Sequence, residues 1–237
     1  MSIRSQAFRV LHEDLQLLRP DVTERDAILC PICLREIPRG RVLEGGIEHI
    51  IPQVVVKQDA PDLASLGSRN QRAGITVLCR EPRTIESTGA LLKDGCNGFK
   101  GSTYDWLLRR VLDDKPHTSV EFSHRHGVAI LIMAYLGAFQ SFGYDYVLRP
   151  ELNEVRRQFD HPDDSVTSWL DHARFELEPP REQVVTTESG LPFLFGGILN
   201  PEAPLHVIFR RCEAYLPQGH WTSRGVAPLE SLLGMNE

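Results

Sequence analysis

Glu48-His49-Ile50-Ile51-Pro52 sets a carboxylate beside an imidazole and follows them with two β-branched residues and a proline. β-branched residues favour strands and proline cannot continue a hydrogen-bonded ladder, so the acid and the histidine read as the last residues of a strand. An imidazole titrates near neutrality and suits proton transfer, so an acid-His pair at a strand end is a place for hydrolytic chemistry. Thiols bracket the pair. Cys30-Pro31-Ile32-Cys33 lies upstream, Cys79 and Cys96 lie downstream, and Asn97-Gly98-Phe99-Lys100-Gly101 follows the last thiol directly.

Zinc takes four tetrahedral thiolate or imidazole ligands, and a CxxC turn supplies two sulfurs from one small loop. Cys30, Cys33, Cys79 and Cys96 make up such a set. Sixteen residues separate Cys79 from Cys96, so 80–95 must loop out and return. The competing reading makes Cys79 and Cys96 ordinary buried thiols. Cys212, the fifth cysteine, sits in a strand pattern remote from the others and reads as core.

In this order, CxxC, acid-His-Ile-x-Pro, and a second thiol pair ending in Cys96-Asn97-x-x-Lys100-Gly101, the chain resembles the HNH endonuclease family over roughly residues 28–105. The resemblance implies a ββα-metal core stapled by the four-cysteine zinc site. It implies Glu48 and Asn97 as ligands of a catalytic divalent ion, Mg²⁺, Mn²⁺ or similar, and His49 as the general base. Lys100 would contact phosphate or be a surface lysine. DNA would be cut to 5′-phosphate and 3′-hydroxyl ends, with RNA left open as a partner. The family's middle asparagine, which helps hold the catalytic histidine, falls on Gly74 here, and Asn70 is the nearest substitute. The alternative is a zinc-stabilised nucleic-acid- or protein-binding module that has lost cleavage. A third reading makes zinc a scaffold in an unrelated enzyme whose site lies after residue 116.

Composition bounds these readings. With 41% apolar and 24% charged residues over 237 positions, the chain is an ordinary globular protein able to bury a sizeable core. The opening residues carry no basic region followed by an apolar one, so a cytoplasmic location is expected. The apolar run Val128 to Phe139 is shorter than the roughly 20 residues a bilayer demands, so no membrane role is expected. The net charge of −6 divides unevenly. Residues 1–115 hold 17 Lys+Arg against 16 Asp+Glu, while 116–237 hold 9 against 16. Phosphate binding must therefore come from a few placed cations, such as Arg35, Arg39, Arg41, Arg109 and Arg110, and from metal.

The expected class is α+β: an N-terminal helix within 1–20, the nuclease core over 21–115 and an α+β extension of unknown role over 116–237. Apolar spacing predicts helices over 3–18, 102–112, 128–142 and from Pro150, and Asp21 with Glu24 predicts a capped turn before the thiols. Gly45-Gly46 predicts a hairpin between Arg41–Glu44 and Ile47–Ile51, with 57–74 a long polar loop. Ser102-x-x-Asp105 reads as a capping box. Ile75 to Leu78, Gln183 to Thr187, Leu191 to Phe195 and Leu205 to Tyr215 read as strands. His124 and His126 read as a polar helix entry.

Overall fold

A computed structural model of the chain describes residues 2–45, 47–57, 68–85, 88–112, 123–161, 173–175, 194–196, 204–209 and 212–217. Helix α1 (Ile3–Gln16) is opened by the Ser2 hydroxyl, which accepts the Ser5 N–H, and it buries Ala7, Phe8, Leu11 and Leu15. Pro20 starts the next helix as well as ending the first pattern. In α2 (Pro20–Thr23) it occupies the first turn, where its missing N–H costs nothing. Asp21 does not cap this turn; its carboxylate takes the Arg19 guanidinium at 2.8 Å.

The knuckle follows as a hairpin of β1 (Ala27–Leu29) with β2 (Glu36–Pro38), joined by the CxxC turn. The hairpin expected at Gly45-Gly46 is not formed. Residues 39–45 are helix α3, which buries only Val42 and whose last carbonyls, Leu43 and Glu44, accept from the Arg4 guanidinium of α1. Strand β3 (Ile47–His49) pairs instead with β4 (Ile75–Val77), antiparallel, with His49 opposite Ile75. β4 is buried at all three positions and offers more apolar contact than the mostly exposed 41–44 segment.

Between β3 and β4 lie α4 (Gln53–Val56) and α5 (Arg69–Ala73), the latter in what was expected to be loop. A reciprocal capping box of Ser68 and Gln71 opens α5. Residues 58–67 lie outside the described set. β5 (Arg83–Thr84) and β6 (Leu91–Leu92) pair across the long Cys79–Cys96 gap. One continuous helical rod then runs through α6 (Gly95–Phe99), a π turn (Lys100–Asp105) and α7 (Trp106–Leu112). The helix thus starts ahead of Ser102, and that residue's expected capping box is absent.

Helix α8 (His124–Phe142) is buried at every residue from His126 to Gln140. Its entry is polar, as expected, with the Ser123 N–H donating to His126 Nδ1. A short α9 (Tyr144–Val147) and α10 (Asn153–Asp160) follow, and Leu152, Val155 and Phe159 are buried. The last described elements are β7 (Ala173–Phe175), β8 (Leu194–Gly196), β9 (Leu205–Phe209) and β10 (Cys212–Leu216), forming an antiparallel sheet in the order β7-β10-β9-β8. The single strand expected over 205–215 is therefore two strands of a hairpin. β7 had no sequence signal, and Gln183–Thr187 lies outside the described residues.

The architecture is α+β, mixing helices with small antiparallel sheets. One buried cluster extends from Ala7 to Leu216, continuous across the boundaries expected at 20/21 and 115/116. α8 joins its parts: Tyr135 donates to the Pro31 carbonyl at 2.6 Å, and Tyr144 of α9 takes the Leu29 N–H at 3.1 Å. Among the described residues no helix is long and apolar enough to cross a membrane.

Candidate functional site

Cys30, Cys33 and Cys96 bring their sulfurs within 4.8 Å of one another. Ligands at about 2.3 Å on a tetrahedral ion lie roughly 3.8 Å apart, so these three thiols fit a metal such as zinc. Cys79 lies outside that trio but touches it. Its N–H donates to Cys30 Sγ at 3.4 Å and its thiol hydrogen-bonds Cys33. Burial works against a charged Cys30 thiolate, yet hydrogen bonds from the Cys33 and Cys96 thiols bring it well below the ordinary thiol value. Cys96 is pushed up by its hydrogen bonds to Cys30 and Cys33, and Cys79 is pushed up by its bond to Cys33.

Closure of the gap to Cys96 depends on the β5–β6 hairpin and on Gly95. Gly95 has φ +59°, and a Cβ there would meet the Cys79 and Glu81 carbonyl oxygens at 2.5 and 2.6 Å. Only glycine lets the returning chain lie that close to the strand it left. Arg83 ties the hairpin to α10 through the Asp160 carboxylate at 2.9 Å.

Glu48 and His49 both line a groove of about 370 Å³ with Gln53 of α4, Asp105 and, on α7, Trp106 and Arg109. Adjacent strand residues ordinarily face opposite ways; here the strand stops at His49, and both side chains reach one opening. Asn70 Oδ1 lies 2.9 Å from His49 Nε2, and Gln53 Nε2 lies 2.8 Å from the same ring nitrogen. With its proton on Nε2, His49 donates to Asn70; with Nε2 bare, it accepts from Gln53. The ring is held in either state.

Gly74 explains why the asparagine sits where it does. It ends α5 at φ +66°, ψ 152°, a region essentially reserved for glycine, so an asparagine there would be strained. Asn70, one helical turn earlier, presents the amide instead. α5 is in turn pinned to the motif, since Ile50 and Ile51 N–H groups donate to the Gly74 and Ala73 carbonyls at 3.1 and 2.8 Å.

Lys100 departs from expectation. It is 0% exposed, and Nζ donates to the His49 carbonyl at 2.7 Å and to Asp105 Oδ1 at 2.6 Å, with Glu48 Oε1 at 3.5 Å. It is neither a surface lysine nor placed to meet a phosphate, because a buried ammonium already bonded to two protein oxygens has no open approach. Burial raises the Asp105 carboxyl above its ordinary range even against the Lys100 charge. Asn97 lies in the first turn of α6, half-buried, its N–H on the Cys79 carbonyl at 3.1 Å, and it does not line the groove.

Of the cations expected to meet phosphate, Arg35 and Arg41 lie 3.7 and 3.6 Å from Glu81, and Arg39 stacks over Phe8 at 5.7 Å. Arg109 lines the groove, and the Arg110 side chain lies outside the described set. Gln53, Asp105 and Trp106 are site residues the motif did not reveal. Gln53 stands four residues after His49, a spacing that signals contact only once α4 is known to start at Gln53, just after Pro52. No family model, curated protein or solved structure matches this chain.

Proposed function

We propose that the chain is a metal-dependent HNH-type endonuclease hydrolysing DNA phosphodiester bonds, its zinc completed by Cys79 as the fourth ligand. The supporting observation is the shared groove of Glu48 and His49, with Asn70 bonded to the imidazole. Asn70 accepts from Nε2–H and leaves Nδ1 to take the proton of an attacking water. Glu48, a carboxylate at the groove wall, would hold a hard cation, whereas Asn97 lies outside the groove and is not placed beside it. A divalent ion there supplies charge neutralisation at the scissile phosphate and help for the leaving 3′ oxygen. Lys100 holds the His49 carbonyl and so fixes the strand end that carries both groups.

Plasmid nicking with Mg²⁺ or Mn²⁺ tests this. His49→Ala should cut about 10²- to 10⁴-fold more slowly. Asn70→Ala should lose roughly 10- to 100-fold, as orienting partners do at metal sites. Glu48→Ala should recover partly in excess Mn²⁺. Wild-type rates from His49→Ala would overturn the assignment. One observation favours the alternative, a zinc-stabilised binding module without cleavage: Lys100 Nζ stands 3.5 Å from Glu48 and already offsets part of its charge. Inert wild-type protein across several metals and substrates would establish that reading.

A further inference from the structure

We propose that the groove holds an unpaired nucleotide, its base stacked on Trp106 and its phosphate on Arg109, so that the substrate is single-stranded or locally unwound DNA. The inference deepens the endonuclease reading and rests on it for the identity of the ligand.

Trp106 is 55% exposed, whereas the other large apolar residues left open among those described, Leu17 and Leu91, lie away from the groove. An indole is a costly group to leave in water, and this one stands on the wall of the cavity that holds the acid-His pair. Pro52 and Val54 line the same cavity, so it combines apolar surface with the polar groups of Glu48, His49, Asp105 and Arg109. Trp106 and Arg109 in one groove suit a nucleotide, which has an aromatic base at one end and an anion at the other.

Trp106 and Arg109 are three residues apart on α7 and so share a helix face, with Cβ atoms about 5–6 Å apart. The spacing is short enough for one nucleotide to reach both. No ion pair or hydrogen bond occupies the exposed Arg109 guanidinium among the described residues. Stacking on an indole requires a bare base face, which a continuous duplex covers and an unpaired strand offers. A groove of about 370 Å³ is also near the lower end for small-molecule sites, a size for one nucleotide and not for a base pair. The near-neutral charge of residues 1–115 agrees, since binding then depends on stacking and one placed cation instead of on a broad basic surface.

The test is fluorescence anisotropy of the zinc-loaded, full-length His49→Ala protein with a labelled oligothymidylate and with a blunt duplex, in Mg²⁺. Single-strand affinity should exceed duplex affinity. Trp106→Ala should lose roughly 5- to 150-fold on the single strand, Trp106→Phe only a few-fold, and neither should change duplex binding or the melting temperature. Arg109→Ala should lower the slope of log affinity against log salt by about 0.7, one phosphate contact on a single strand. Undiminished single-strand binding by Trp106→Ala, tighter binding of duplex, or no binding of either would overturn the inference. Its failure is separable from that of the endonuclease reading: cleavage that ignores Trp106 removes only the nucleotide subsite, whereas Trp106-dependent binding without cleavage by wild type removes only the nuclease.

Discussion

Replacing Lys100 by methionine keeps the length of the stem and deletes the ammonium. Lys100 is 0% exposed, while the Asp105 and Glu48 side chains it faces are 19% and 20% exposed. Removing one partner of a buried ion pair costs about 3–5 kcal/mol, chiefly by stranding the other charge. Here the stranded charge is Asp105, 2.6 Å from Nζ, and the His49 carbonyl loses its donor as well. For a chain of this size each kcal/mol moves the midpoint by about 2–4 °C, so Lys100→Met should melt roughly 6–20 °C lower. Adding Asp105→Asn should restore much of this, because an apolar or neutral pair of similar volume is often tolerated.

The loss should also depend on pH. Without the ammonium the Asp105 carboxyl rises further, so folded Lys100→Met holds that proton more tightly than the unfolded chain does. Its stability is then best at low pH and falls as pH climbs through the folded pKa. Urea unfolding followed by circular dichroism at several pH values reads all three effects. A single variant within about 0.5 kcal/mol of wild type, or two substitutions whose costs simply add, would refute the account of Lys100 as a buried charge held by Asp105.

Metal analysis of purified protein should find about one zinc per chain, and Cys33→Ser or Cys96→Ser should fail to fold, since such a site contributes about 10–16 kcal/mol in peptides against a global stability of about 5–15. A metal-free wild type, or a Cys33→Ser protein that melts normally, would remove the zinc. Asp14 offers a pH test far from the groove: burial raises its carboxyl to about 6, against the opposing Tyr144 N–H, and the Asp145 charge adds to the rise. A raised acid favours the folded state below the ordinary carboxylate range and loses that advantage as pH passes about 6. Wild type should therefore lose roughly 2.4 kcal/mol from this group between pH 4 and 7.5. Asp14→Asn, which keeps an acceptor for Tyr144, should flatten the curve.

The gathering of Cys30, Cys33 and Cys96 could be read in the sequence because metal-ligating side chains are marked by identity and spacing, and these are what a sequence states. The pairing of the strand that carries Glu48 and His49 could not. Gly45-Gly46 is a strong local turn signal, yet β3 found its partner at Ile75–Val77, where three buried residues outweigh a turn. The gap between Cys79 and Cys96 reads in the sequence only as a loop that returns, because a two-residue strand pair such as β5–β6 is too short to show periodicity. Its one clear marker was Gly95, whose need for a positive φ shows only when the Cys79 and Glu81 carbonyls are seen beneath it.

The helix after Cys96 shows why the face of the site was harder to read than its core. Tyr104, Leu107 and Leu108 are buried as their spacing predicts. Lys100 and Asp105 are five apart, and at about 100° per residue an ordinary α-helix would leave them roughly 140° from alignment. The π turn over 100–105 takes an extra residue per turn and stacks i on i+5, so the carboxylate comes to rest 2.6 Å from the ammonium. π turns are rare because they pack less well than α turns, and this one is offset by the ion pair it creates. Ordinary pitch would leave Lys100 buried under the His49 carbonyl without its acid, and would rotate Trp106 and Arg109 by about one residue relative to the groove they line. The widened turn satisfies the buried charge and aims the groove wall together, so the same residues that hold the fold also aim the site.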